Sequence, residues 1–133
     1  MPNRMHQHGR RQYHFRGTVG VARVVLRAVP VSRRLLLKRA VLRSWGMLPN
    51  EVVDWSWTVN IYAGAAVPTP VTSLEVFSSA AGSGAQYSDS LDIEDGLAFP
   101  AKPAQATDIT YEVVAAGAPP GYDLLIVTEE DGV

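Results

Sequence analysis

The chain has 133 residues, of which 47% are apolar and 19% charged. That length suits one domain with an appendage, and the balance excludes a fully disordered chain. It contains no cysteine, which removes a disulfide framework, a thiolate metal site and a cysteine nucleophile together. No uninterrupted apolar stretch reaches the ~18 residues that a spanning helix needs.

The net charge of −1 conceals a division of the chain. Residues 1–50 hold eleven cations (Arg4, Arg10, Arg11, Arg16, Arg23, Arg27, Arg33, Arg34, Lys38, Arg39 and Arg43) and no acid. Residues 51–133 hold all thirteen acids and a single base, Lys102, so the two parts carry +11 and −12. The histidines His6, His8 and His14 also fall in the basic part. Ten of the eleven cations are Arg, a choice that favours bidentate contacts to phosphate or carboxylate. Such a division reads as an interaction arm, residues 1–49, on an oppositely charged body, residues 50–133.

Residues 1–17 show no clear periodicity and read as an extended arm, expected to be held by neighbours from Met1 onward. Residues 18–29 fit two templates. Val21, Val24, Val25 and Ala28 suit a helical face, whereas the alternation of Val19, Val21, Val25 and Val29 suits a strand; the balance leans to helix, with Thr18 as cap. The clearest helical signal covers 33–45. Ser32 is placed as N-cap, Gly46 lies just past the end and Pro49 stops it. Leu37, Ala40, Val41 and Trp45 form its stripe, flanked by the like-charged pairs Arg34/Lys38 and Arg39/Arg43, which weaken an isolated helix. Such a helix needs an anionic partner and an apolar surface to become stable.

After Asn50 the period changes to two. Val53, Trp55, Trp57, Val59 and Ile61 alternate with polar residues, the pattern of a half-buried strand. Residues 73–79, 109–115 and 122–128 are further strands, the last two joined by a turn at Pro120-Gly121 that predicts a hairpin. A short strand is expected around Leu91–Ile93 within an otherwise loop-like stretch, 80–108. The fold expected is mainly β: a small antiparallel β-sandwich or open barrel, preceded by a basic, partly helical arm.

The candidates for chemistry are thin. His6 and His8 share one side of an extended chain, but no third ligand is near and their neighbours are Arg, so solvent or phosphate contact is expected instead. Asp89, Asp92, Glu94 and Asp95 precede Gly96, yet the calcium-loop spacing fails and a solvated acidic loop is the default. The Gly82-Ser83-Gly84 run has no phosphate-binding Lys after it, and no His lies in the β body to act as a base. Trp55 and Trp57 share a face with Val53, Val59 and Ile61, which assigns them to the core. No enzyme, cofactor, metal site or small-molecule substrate is expected.

The basic part is the one strong candidate. Arg10, Arg11, Arg16, Arg23, Arg27, Arg33, Arg34, Lys38, Arg39 and Arg43 are the expected contacts to a partner or to nucleic acid, with Leu36, Leu37, Val41 and Trp45 supplying apolar docking. If roughly 6–10 of these cations met phosphates, affinity would fall about 10³- to 10⁵-fold between 50 and 200 mM salt.

The arrangement of MHQHGRRQYHFRG and VSRRLLLKRAVLRSW ahead of the strand-rich VVDWSWTVNIYA and ITYEVVA…YDLLIVT resembles small structural proteins of virus and phage particles. The resemblance implies a capsid-associated, cement, decoration or head–tail component. Its arm would touch other structural proteins of the particle, copies of itself or packaged nucleic acid. Two other readings stay open: a free nucleic-acid-binding protein, or an organellar complex subunit keeping a presequence-like arm. They would place the chain in the cytoplasm or an organelle rather than the virion.

Overall fold

The computed structural model describes residues 10–29, 34–45, 54–64, 67–78, 85–99 and 107–131. Its strands are β1 (Arg10–Gly17), β2 (Val21–Val29), β3 (Arg34–Trp45), β4 (Trp55–Ala63), β5 (Thr72–Ser78), β6 (Ala85–Gln86), β7 (Ser88–Phe99), β8 (Thr107–Gly117) and β9 (Gly121–Asp131). They form two sheets, the first in the order β1-β9-β3-β7 and the second in the order β2-β8-β4-β5-β6. Every pairing is antiparallel. The result is a β-sandwich, as the alternating pattern after Asn50 predicts.

One core lies between the sheets. The first sheet contributes Leu37, Ala40, Leu42, Leu124 and Ile126, and the second contributes Trp57, Val59, Ile61, Val76 and Ile109, all fully buried. Aromatic pairs tie the layers. Trp57 of β4 meets Tyr122 of β9 edge-on at 4.8 Å, and Phe15 of β1 stacks on Tyr111 of β8 at 5.0 Å. Trp57 also donates from Nε1 to the carbonyl oxygen of Pro120 at 2.6 Å. The polar end of this buried side chain is thereby satisfied.

The helix expected over 33–45 is not formed by the described residues: 34–45 are β3, hydrogen-bonded to β9 on one side and β7 on the other. The reason is a bulge. Against β9 the register of β3 shifts between Leu37, opposite Thr128, and Arg39, opposite Val127, which inserts Lys38 and reverses the parity of everything after it. Against β7 the same step runs from Leu97 to Asp92, so there the extra residues lie on β7. Leu35, Leu37, Ala40 and Leu42 therefore all point inward. That spacing of two, three and two imitates a helical stripe. The lean to helix over 18–29 fails for the same reason. The β2 strand carries register shifts between Val21 and Val24 and between Val25 and Arg27, and these hide its period of two.

Residues 10–17, expected as part of an extended arm, pair along their whole length with β9, from Arg10 opposite Glu129 to Gly17 opposite Tyr122. Strands on both sides of residue 50 thus share both sheets. The expected hairpin between 109–115 and 122–128 is also absent, because β8 lies in the second sheet and β9 in the first. The turn after β8 carries the chain across the sandwich. It begins at Gly117, whose φ of +71° and whose approach to the Asp54 carbonyl leave no room for a Cβ. The strand expected at 91–93 is real but longer, spanning the twelve residues of β7.

The two readings of β3 part clearly at Leu42. Leu42 is fully buried, whereas the helical stripe leaves it out. Leu42→Ala should cost about 2–5 kcal/mol, and Arg43→Ala, at an exposed neighbour, should stay within about 0.5 kcal/mol. Urea unfolding of both variants checks this; equal small effects would refute the inward position of Leu42.

Candidate functional site

The first sheet sorts the charges of the chain by strand. In sequence β1 carries Arg10, Arg11 and Arg16 and no acid, and β9 carries Asp123, Glu129, Glu130 and Asp131 and no base. The β3 strand carries Arg34, Lys38, Arg39 and Arg43 and no acid, and β7 carries Asp89, Asp92, Glu94 and Asp95 and no base. Across β1-β9-β3-β7 the sign therefore alternates from strand to strand.

The registers place one set of these residues on the outer face. Arg16, Asp123, Arg43 and Ser88 form one row across the four strands, and His14, Leu125, Val41 and Ser90 form the next. Gln12, Val127, Arg39 and Asp92 form a third row, and Arg10 sits beyond, opposite Glu129. Asp123 is the hub of this face. His14 Nε2 bonds its carboxylate, and Arg16 Nε lies 3.5 Å from its other oxygen. Arg39 Nε lies 3.5 Å from Asp92. Between them His14, Arg39, Val41, Arg43, Asp123 and Leu125 line a depression of about 260 Å³. Three basic side chains, His14, Arg39 and Arg43, thus flank a short apolar strip of buried Val41 and half-buried Leu125.

Arg10, Arg16, Arg39, Arg43 and Val41 of the predicted set converge here. Arg11 is exposed on β1, one residue out of phase with the face. Lys38 is tied down at the bulge, donating from Nζ to the Glu94 carbonyl at 2.6 Å. Leu37 is spent on the internal core, and Leu36 is half-buried where Gly96 of β7 passes close to it. Arg33 and the side chains of Arg34 and Trp45 lie outside the described residues.

Arg23 and Arg27 belong to the second sheet. The Arg23 guanidinium lies 3.4 Å from the centroid of the Tyr62 ring, donates to the Gly64 carbonyl at 2.7 Å and reaches Thr110 Oγ1 at 3.2 Å. Tyr62 in turn donates to Glu112 at 2.5 Å, Asn60 donates to the same carboxylate oxygen at 2.9 Å, and Ser73 donates to Asn60 at 2.6 Å. This network crosses the outer face of the second sheet and consumes its cation internally. The Glu112 carboxyl is held below the usual carboxylate range, first by the Tyr62 hydroxyl and then by the Asn60 amide. The Tyr62 phenol is raised above its ordinary value, chiefly because its proton is committed to Glu112.

Sequence reasoning missed His14, Asp123, Leu125 and Val127. The first was legible: in RQYHFRG, Tyr13 and Phe15 alternate with Gln12, His14 and Arg16, which is a strand pattern. The others needed the β1–β9–β3 pairing, which no local signal carries.

No protein-family model matches the sequence, and no curated protein matches it. Among solved structures, the cryo-EM structure of the extra small virus (XSV) VLP of the giant freshwater prawn Macrobrachium rosenbergii aligns with a TM-score of 0.37. Its identity is 10%, over 94% of this chain and 81% of that one. The crystal structure of the Macrobrachium rosenbergii nodavirus P-domain aligns with a TM-score of 0.28 and 13% identity, over 92% of this chain and 81% of that one. Superpositions this loose do not define a shared fold.

The depressed Glu112 carboxyl contributes stability that is present above the unfolded-state value, about 4.3, and is lost as pH falls through the folded value. Glu112→Gln should therefore lower stability near neutral pH, and its deficit should shrink in acid below about pH 4.3. Denaturant midpoints between pH 3 and 7 check the sign; a deficit independent of pH would exclude the carboxylate as its cause.

Proposed function

We propose that this chain is a non-enzymatic structural subunit of a large particle, a virion or capsid-associated protein of the cement or decoration kind. It docks on neighbouring subunits through the outer face of the first sheet. One observation carries the reading: Arg10, His14, Arg16, Arg39 and Arg43, from two separate basic strands, share one outer sheet face, where His14, Arg39 and Arg43 line a depression with Val41 and Leu125. Arg beside small apolar surface is the composition of interface centres, and the planar guanidinium suits carboxylates of an acidic neighbour. The broad, shallow shape suits a protein surface.

A second reading is favoured by Arg10 and Arg43, which have no ion pair among the described residues. Cations left unpaired on an open face also suit phosphates of packaged nucleic acid.

Rate-zonal sedimentation of the native source, with detection of this chain by mass spectrometry, tests the structural role. The chain should travel with a large particle at fixed stoichiometry through a high-salt wash; recovery among small soluble proteins would refute it. Arg39→Ala with Arg43→Ala should leave the fold intact and weaken rebinding to stripped particles by at least about tenfold. If nucleic acid is the partner, the same pair should reduce the slope of log affinity against log salt by about 2, one for each lost phosphate contact.

A further inference from the structure

We propose that copies of this chain join edge to edge, β7 of one copy pairing antiparallel with β1 of the next, so that the first sheet continues from subunit to subunit. The inference deepens the structural-subunit reading and rests on it. Among the described residues β1 pairs only with β9, and β7 only with β3. Each therefore has a backbone edge without a strand neighbour.

The edges are opposite in sign. All charged residues of β1 are basic, and all those of β7 are acidic. Charged edges ordinarily prevent pairing between copies. Here that protection works only against like edges: β1 beside β1 sets Arg against Arg, and β7 beside β7 sets acids against acids. It does not oppose β1 beside β7. That contact extends the basic, acidic, basic, acidic order already present inside the sheet.

Strand direction agrees. Four antiparallel strands, an even number, leave the two edges running in opposite directions. A second copy in the same orientation therefore presents β1 antiparallel to β7, and the contact is head-to-tail. The side-chain parity agrees as well. A register that sets Phe15 against Leu91 and Tyr13 against Ile93 joins partly buried residues already packed against the core. The same register sets His14 against Asp92 on the outer face and leaves Arg16 and Arg10 diagonal to Asp92 and Glu94. The start of β7 is occupied, since Asp89 accepts from the Glu75 amide of β5 at 3.0 Å, so the free edge runs from Ser90 onward.

Among the described residues the second sheet's β2 edge carries two register shifts and its β6 edge is two residues long, both of which are ways of blunting an edge. The β7 strand is irregular as well, five of its residues passing two of β3 between Asp92 and Leu97. The regular part of its free edge is therefore the short run Ser90–Asp92, and the contact centres there on a β1 whose eight-residue register with β9 has no shift.

Charge exchange tests the pairing on the full chain by sedimentation velocity. Wild type should form concentration-dependent oligomers in 50 mM salt, and 500 mM salt should weaken them about tenfold or more. Arg10→Glu with Arg11→Glu makes both edges acidic. Asp92→Arg with Glu94→Arg leaves Asp95 as the single acid of β7 from Ser90 onward, so that both free edges are then net basic; all four substitutions are at exposed positions. Each variant alone should be monomeric, and an equimolar mixture should assemble again. Circular dichroism confirms folding of each; if the β7 pair misfolds, Asp92→Lys with Glu94→Lys replaces it. Monomeric wild type at low salt, a variant that assembles like wild type, or a mixture of folded variants that stays monomeric would each overturn the proposal. Wild type that is monomeric in isolation yet travels with the particle overturns edge pairing alone. Oligomers that never join a particle overturn the docking role alone.

Discussion

Fifty acid-free residues cannot collapse on themselves, and the first sheet shows how that constraint is met: each basic strand is placed between or beside acidic ones. The energies assign this a definite part in the fold. An exposed cross-strand pair such as Arg39 with Asp92 contributes about 0.2–1 kcal/mol, whereas one buried leucine such as Leu124 is worth about 2–5 kcal/mol when truncated to Ala. Burial of Trp57, Leu37, Leu124 and their neighbours therefore drives the two layers together. Charge discriminates among the strand orders that would bury the same residues. Exchanging β9 and β3 would place β1 against β3, Arg against Arg, and β9 against β7, acid against acid. The observed order avoids both, which is selection against alternatives more than attraction to one.

The same constraint explains how much of the molecule can be read along the chain. The division into +11 and −12 is visible at once, and it does mean that the two parts meet. What it resembles in one dimension is an arm and a body. In three dimensions it is an interleaving, because β1, β2 and β3 enter the sheets as strands. The alternation of Trp55, Trp57, Val59 and Ile61 gives β4 its identity because no bulge interrupts it. In β3 the bulge at Lys38 converts a period of two into spacings of two, three and two, and the helix-forming residues Leu, Arg and Lys complete the disguise. A strand paired on both sides gains its backbone bonds from β9 and β7, and that non-local gain overrides local propensity.

The candidate site was legible in composition and illegible in grouping. The Arg residues were evident, but six of the ten contacts expected on one arm fall into three separate groups. Arg10, Arg16, Arg39 and Arg43 share the outer face of the first sheet. Lys38 serves the bulge by holding the Glu94 carbonyl. Arg23 is absorbed by Tyr62, Gly64 and Thr110 on the second sheet. Membership of a group depends on strand parity and on which neighbour supplies an acid, and Asp123 supplies one from more than a hundred residues away. Leu37 illustrates the converse error. Taken as a docking residue, it is fully buried in the core, since the helical reading left it no core of its own to join.

Edge pairing would engage His14, Arg16 and Arg10 at the rim of the outer face and leave Arg39 and Arg43, on the inner strand β3, open for face docking. Growth along the first sheet adds four strands per copy, and at about 4.8 Å per strand it advances about 19 Å per subunit. Strand twist of about 20–25° per step would turn each copy's outer face relative to the last. In such an array the Arg10, Arg16, Arg39 and Arg43 cluster would recur once per subunit, as a row that turns with the sheet. A row binds a repetitive acidic surface with far greater avidity than one copy does, because each later contact is made at the high effective concentration set by the first. A particle surface is repetitive in this way, whereas a lone soluble partner is not. On the proposed pairing, the alternation of charge that orders strands within one subunit would also order one subunit against the next.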